Sequence, residues 1–216
     1  MNIILFGPPG AGKGTQSDNI VNNYNLFKIS TGDLLRKEIE DNTDLGKKIE
    51  NLMNKGILVP DQILNDLIKK ILLNSNYFNR LIFDGYPRNL NQAKSLDNIV
   101  KIHNQKISYV FSLNVSKDTI VKRILGRQTC SKCGNIYNDF FKPATKENHS
   151  CDSKYLSKRL DDNEKTIANR YETYLDKTLP ILDFYKKQKL LHEINGEGEI
   201  DQIYKEIVGI IGPLHT

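Results

Sequence analysis

"GPPGAGKGTQ", residues 7–16, follows directly on the apolar run "NIILF" (2–6) and leads into a stretch with helical spacing. A continuous apolar run that stops at glycines reads as a strand buried on both faces. Strand, glycine-rich turn and helix, in that order, is the setting of the phosphate-binding pattern G-x-x-x-x-G-K-[ST]. Glycines let successive backbone N–H groups converge on phosphate oxygens. The helix N-terminus adds its positive end, and Lys13 adds a full charge. One position departs from the pattern: Gly14 follows the lysine, and the hydroxyl comes one residue late, at Thr15. A turn that served only to reverse the chain would not need Gly7, Gly10, Gly12, Lys13 and Thr15 together.

Outward from this loop, strands alternate with helices. The helix after the loop runs from Lys13 to about Tyr24, and "LFKIS" (26–30), "RLIFD" (80–84), "ISYVFSLNV" (107–115) and "LLHEI" (190–194) read as further strands. Helical spacing marks the segments beginning "TGDLLRKEIE", "LGKKIENLMNKG", "PDQILNDLIKK" and, from its Ser cap, "SKDTIVKRILGR". Another helix starts at Asn89, a long one is expected from about Asn163 to Lys187 with a bend near Pro180, and "EIDQIYKEIVGII" closes the chain. Between Gly126 and Asp162 helical spacing is lost, and Gly, Asn, Ser, Lys and all three cysteines concentrate there, which reads as a small inserted domain. The expected fold class is α/β, a P-loop NTPase fold with a five-stranded parallel sheet flanked by helices.

Composition bounds the function. The 216 residues suffice for one sizeable core with small inserts, and 26% charged against 38% hydrophobic residues is ordinary for a soluble globular protein. No apolar run approaches the roughly 20 residues of a membrane span. "IILF" ends at once in "GPPG", so no secretion leader is read there, and a cytoplasmic protein without membrane attachment is expected. The net charge of +5 suits a polyanionic ligand, but no basic block or RNA-binding aromatic signature points to nucleic acid.

"LIFD" ends at Asp84, the Walker-B pattern, whose carboxylate holds Mg²⁺ through water in P-loop proteins. The chain has 24 lysines and only seven arginines, so each arginine calls for a reason such as bidentate grip on phosphate. Arg36, Arg88, Arg123, Arg127, Arg159 and Arg170 fall after strand ends and at the borders of the insert, where open α/β sheets bind ligands; Arg80 does not.

Together the motifs "GPPGAGKGTQ", "ISTGDLLR", "KGILVPD", "FDGYPRNLNQA", "VKRILGR", "RLDDNEKTIANR" and "INGEGE" make the chain resemble, over essentially its whole length, the adenylate kinases of the nucleoside monophosphate kinase family. In that family Gly follows the P-loop lysine and Thr comes next. The resemblance implies reversible Mg²⁺-dependent phosphoryl transfer from ATP to AMP, giving two ADP. It implies ATP contacts from Gly10, Ala11, Gly12, Lys13, Gly14, Thr15, Arg123, Arg127 and Tyr137, with backbone near Glu199 reading the adenine. It implies AMP contacts from Thr31, Arg36, Ile57, Leu58, Val59, Gly85, Tyr86, Pro87, Arg88 and Gln92. Arg159 and Arg170 would bridge the nucleotides, and Lys13, Asp84, Arg88, Arg123, Arg127, Arg159 and Arg170 would carry the catalysis. Asp161 and Asp162 would pair with arginines or complete the metal shell. The implied domains are a core (1–29, 60–125 and 163–216), an AMP-binding domain (30–59) and a lid (126–162), in a monomer.

A monophosphate acceptor is already ionised at neutral pH, so no general base is needed, and none of the four histidines lies in a motif. A kinase for UMP or CMP is a rival reading; Thr31, Gln92 and the long insert resemble the AMP enzymes instead. A GTPase would want N-K-x-D, and "NKGI" (54–57) has Ile57 where Asp is required.

Cys130 and Cys133 in "CSKCG" have zinc-knuckle spacing, and Cys151 follows. In zinc-bearing lids of the family the fourth ligand, Cys or Asp, stands where this chain has Lys154. Three alternatives remain open: Asp152 supplies it, His149 supplies it, or the cluster holds no zinc.

Overall fold

The computed structural model describes residues 1–213. Five parallel strands form the central sheet: β1 (Asn2–Phe6), β2 (Phe27–Ser30), β3 (Leu81–Asp84), β4 (Ile107–Asn114) and β8 (Leu191–Asn195), in the order β2-β3-β1-β4-β8. β1 lies in the middle, its Ile4 opposite Phe83 of β3 and Val110 of β4. Both faces of the sheet are covered, and the alternation along each strand divides the core. Ile4, Phe6, Phe83 and Val110 pack on one side with α4 (Asp61–Leu72), α5 (Leu90–Ile102) and α8 (Ile181–Lys187). Ile3, Leu5, Ile82, Phe111 and Leu113 pack on the other with α1 (Lys13–Tyr24) and α9 (Ile200–Ile211). This two-sided burial is why the strands read as unbroken apolar runs.

All five strands point the same way, so their C-terminal ends share one edge. The loop after β1, Thr31 after β2, Gly85–Arg88 after β3, Ser116 after β4 and Gly196–Glu199 after β8 all emerge there. Side-chain caps start the helices that leave this edge: Ser30 for α2 (Thr31–Glu40), Asn89 for α5 and Ser116 for α6 (Lys117–Leu125). α3 (Asp44–Asn54), capped by Thr43, packs on α2. No described helix is long and apolar enough to cross a membrane.

Residues 126–162 form a separate three-stranded antiparallel sheet from β5 (Arg127–Cys130), β6 (Ile136–Asn138) and β7 (Leu156–Ser157), in the order β6-β5-β7. The chain returns through α7 (Glu164–Thr173), capped by Asn163. Here the structure corrects the expectation of one long helix to Lys187. α7 ends at Thr173, a π-helical turn spans Tyr174–Thr178, and α8 begins after Pro180. The wide turn, closed by Leu179 N–H donating to the Tyr174 carbonyl at 2.8 Å, precedes the proline. In it the Thr178 hydroxyl donates to the Arg88 carbonyl at 2.8 Å, so the irregularity ties this segment to the site edge.

Candidate active site

The loop of residues 7–12 turns back over the end of β1. At Gly10 (φ +81°) a Cβ would lie 2.8 Å from Cγ1 of Ile124 and 3.1 Å from the Ile120 carbonyl. Only glycine admits this approach, and the approach sets α6 against the loop, carrying Arg123 to its rim. Lys13 folds back, donating to the carbonyls of Gly7 (2.8 Å) and Pro8 (2.9 Å). Burial lowers its pKa to about 8; Asp84 opposes the fall, and Arg88, Arg170 and Arg127 add to it. Burial in turn pushes the Asp84 carboxyl up, against the pull of Lys13. A Cβ at Gly14 would stand 3.6 Å from Asp84 Oδ2, so the late-hydroxyl variant of the loop runs close beside the carboxylate.

One cavity of about 250 Å³ receives Lys13, Asp84 and all six arginines singled out above. Arg80, the exception, lies elsewhere: its Nε donates to the Asn25 carbonyl at 2.9 Å and its guanidinium covers the Phe27 ring. Six guanidinium groups around one space repel each other, and the chain offsets this with carboxylates. Arg127 grips Asp162 through two nitrogens. Arg170 Nη1 meets Asp161 Oδ2 at 2.8 Å and stands 3.8 Å from Asp162. Asp33 pairs with Arg36 and with Arg159, the latter at 3.5 Å. Asp161 and Asp162 thus pair with arginines, the first of the two roles expected of them. Against its own burial, Arg36, Ser30 and Arg159 bring Asp33 down to about 2. Burial lowers Arg88 to about 10, helped by Arg170, and lowers Arg159 to about 10, helped by Arg127 and Arg36. Arg88 and Arg123 have no carboxylate partner among the described residues. Arg88 Nε donates to the Gly85 carbonyl at 2.7 Å, and Arg123 Nη1 to the Gly196 carbonyl at 2.9 Å. A group of anionic oxygens entering this space would take over hydrogen bonds that aspartates and carbonyls now accept.

The other expected residues divide into two ends. At one end the cavity runs past Arg123 to Glu199, which caps α9 together with Gln202. Tyr137 also lines this end, its hydroxyl donating to the Asn148 carbonyl at 2.8 Å. At the other, Thr31 donates to the Gly85 carbonyl at 2.9 Å, and Pro87, Leu58 and Gly85 line a small adjoining pocket. Several expected residues sit back from open space or outside it. Val59 and Tyr86 are buried, and Ile57 is exposed. Gln92 is wholly buried, with Oε1 accepting from Arg88 N–H at 2.7 Å and Nε2 donating to Asp61 at 2.7 Å, so it braces the Arg88 backbone.

Sequence reasoning missed several members. Phe141 lines the cavity, with the Arg123 guanidinium 5.3 Å from its ring centroid, an open-sided platform suited to a flat base. Aromatic spacing in "YNDFF" was the available signal. Asp33 and Asp61, the carboxylates that hold Arg36 and Gln92, stand inside the quoted motifs "ISTGDLLR" and "KGILVPD", and nothing in their type alone singled them out. Gln16, inside the quoted loop, donates to the Ile200 carbonyl at 2.9 Å and links α1 to α9.

The cysteines come together with a histidine. The ligand atoms of Cys130, Cys133, His149 and Cys151 all lie within 4.8 Å of one another. His149 is buried and its Nε2 has no hydrogen-bond partner among the described residues. Three thiols and an otherwise unsatisfied imidazole nitrogen fit tetrahedral zinc. Of the alternatives left open for the fourth position, the structure brings His149 to the cysteines. Lys154 is exposed and sits beside Asp152, which itself caps a short turn, so neither joins the cluster.

Comparison with known proteins shows the family. A family model described as adenylate kinase matches residues 5–190. The chain is 50% identical over 211 residues to a protein named adenylate kinase from Pelagibacter ubique (strain HTCC1062), covering 98% of this chain and 99% of the relative. It is 41% identical over 213 residues to one of the same name from Archaeoglobus fulgidus, covering 98% of each. It is also 41% identical over 214 residues to one from Clostridioides difficile (strain 630), covering 98% and 99%.

Proposed function

The chain belongs to the adenylate kinase family, and from that premise we propose how its cavity divides the work of moving a phosphoryl group between ATP and AMP. The reaction is nucleotide interconversion, ATP and AMP giving two ADP, with Mg²⁺ accompanying ATP. The observation that carries the assignment is the convergence of Lys13, Asp84 and six arginines on one space.

ATP takes the loop end. Backbone N–H groups of Gly10–Thr15 and the start of α1 hold its phosphates, and Lys13 leaves its two carbonyls to reach them. The base lies between Arg123 and Phe141, with Tyr137 and backbone near Glu199 beside it. AMP takes the other end, between Thr31, Arg36, residues 57–59, Gly85–Arg88 and Gln92. Arg88, Arg127, Arg159 and Arg170 surround the group in flight, where negative charge spreads over three oxygens. Arg127, Arg159 and Arg170 exchange aspartate partners, and Arg88 the Gly85 carbonyl, for phosphate oxygens, so positive charge is already oriented before the nucleotides arrive. The AMP phosphate is an anion and attacks without loss of a proton. Water is the competing acceptor, and residues 30–59 and 126–162 move as an AMP-binding domain and a lid over the core (1–29, 60–125, 163–216) to exclude it.

Asp84 and Thr15 suit Mg²⁺, since the Asp84 carboxylate stands beside the loop, 3.6 Å from where a Cβ on Gly14 would lie, one residue before Thr15. Bound there with ATP, the ion supplies charge neutralisation at the phosphates. Zinc, held by Cys130, Cys133, His149 and Cys151, stiffens the lid and takes no part in the chemistry. The protein works as a cytoplasmic monomer.

The experiment is to mix the protein with Mg²⁺, ATP and AMP and follow ADP by phosphorus NMR, with UMP, CMP and GMP as parallel acceptors. ADP formed with AMP far faster than with the other three supports the assignment. Equal rates with a pyrimidine acceptor, or ADP released from ATP alone, contradict it.

A further inference from the structure

Helix α7 makes three contacts that none of the roles above uses. The Thr166 hydroxyl, itself buried, donates to the carbonyl of Asn54 at 3.2 Å. Asn169 Nδ2 donates to the carbonyl of Lys55 at 3.4 Å. Gly56 (φ +71°) lies so close beneath the helix that a Cβ there would stand 2.9 Å from Cγ of Arg170 and 3.3 Å from Cγ2 and the carbonyl oxygen of Thr166. Residues 166, 169 and 170 are spaced i, i+3 and i+4, so they share one face. The carbonyls they meet are those of the last residue of α3 and of its cap residue Lys55, backbone acceptors with no partner within the helix. α7 therefore caps α3, across more than 110 residues of sequence.

The capped turn leads through Gly56 straight into residues 57–59, the segment assigned to the acceptor. The same face of α7 bears Arg170, which reaches Asp161 at the end of the small sheet. We propose that this face is a joint through which seating of the acceptor segment sets the position of Arg170, with Thr166 as its positioning residue. Two hydrogen bonds fix where the segment leaves α3, and the Gly56 backbone touches the Arg170 stem with no space between. A shift of residues 57–59 on nucleoside monophosphate binding cannot be absorbed locally and moves the stem. Arg170 is then aligned on the transferring phosphate only when the acceptor is in place, which favours transfer to the monophosphate over transfer to water. The identity of that acceptor as AMP rests on the function proposed above.

The test compares Thr166→Val, which keeps the shape and removes the hydroxyl, with Thr166→Ser, which keeps the hydroxyl. The valine variant is expected to raise KM for AMP about five- to tenfold, as for loss of one partly buried hydrogen bond, while KM for ATP stays within about twofold. Serine is expected to stay within about twofold of the parent on both. Asn169→Ala, at an exposed position, is expected to raise KM for AMP about twofold to threefold. Unchanged AMP KM in both Thr166→Val and Asn169→Ala, or parallel increases for ATP and AMP, would overturn the joint. Should the parent protein prefer another monophosphate, the AMP assignment fails, and the valine–serine contrast measured on that acceptor still decides the joint.

Discussion

The central sheet and the small sheet of residues 126–162 both hold arginines at the same cavity, but they are stabilised by different means. The central sheet buries large side chains on both faces, among them Ile3, Ile4, Leu81, Ile82, Phe83 and Phe111 at 0% exposure. The small sheet has almost no such core. Between residues 126 and 162 only Cys130 and Tyr137 are buried hydrophobics, while Phe140, Phe141 and Leu160 face solvent. Burial of apolar area cannot fix a three-stranded sheet of this size, and a metal cross-link is the usual replacement. His149 joins both devices, with its ring edge-on to Tyr137 at 4.9 Å and its nitrogen in the cysteine cluster. The comparison teaches that packing fixes the edge that carries the phosphate loop, while the small sheet, with little core, brings three cysteines and a histidine together as a site fit for a metal cross-link.

The largest effect is expected at the packed end. Lys13→Met removes the cation that loop and helix are built around and should lower kcat/KM by about 10³ or more, with thermal unfolding little changed. Phe83→Ala, in the core beneath Asp84, should cost about 3–5 kcal/mol of stability in denaturant titration, and a cost near zero would break the account of the core. At the pinned end, Cys133→Ser should weaken zinc binding by at least about 100-fold, read by chelator competition. Hydrogen exchange should then quicken in residues 126–162 and not in the central strands. Uniform quickening would mean that the two regions do not differ as described.

A smaller effect concerns pH. Burial lowers the Lys13 pKa from 10.5 to about 8, so above that pH the empty site loses its ammonium and must take up a proton to hold ATP. ATP affinity should fall by up to about tenfold per pH unit above about 8, measured by calorimetry. The linkage to folding has the opposite sign: between about 8 and 10.5 the unfolded chain holds the proton and the native chain does not, so this group's contribution to stability rises with pH there. Least of all, Arg80→Lys, away from the cavity, should change kcat/KM less than twofold.

What could be read without coordinates was whatever repeats in short-range chemistry. The apolar run, the glycine spacing and Lys13 announced β1, the loop and α1. The scarcity of arginine against lysine picked out the six that line the cavity. What could not be read depends on chain segments far apart. The sequence left His149 as one alternative beside Asp152 or no zinc, and the fold of the loop is what brings its nitrogen to the thiols. Gln92 pointed to a nucleotide, but the structure also uses both ends of its amide to brace Arg88 against Asp61. The π-helical turn follows from Thr178 meeting the Arg88 carbonyl across 90 residues, which helical periodicity does not encode. Asparagine abundance, which reads as compositional bias, turns out to serve the backbone: Asn25, Asn42, Asn79 and Asn104 take left-handed conformations where elements end.

The central claim is that both nucleotides meet in one cavity, their phosphates sharing the same arginines. Inhibition by two adenosines joined through five phosphates tests it most directly, because such a molecule can occupy both ends at once only if they are continuous. The account predicts inhibition competitive with ATP and also competitive with AMP, at an affinity far above that of either nucleotide. Competition with only one of them would contradict it.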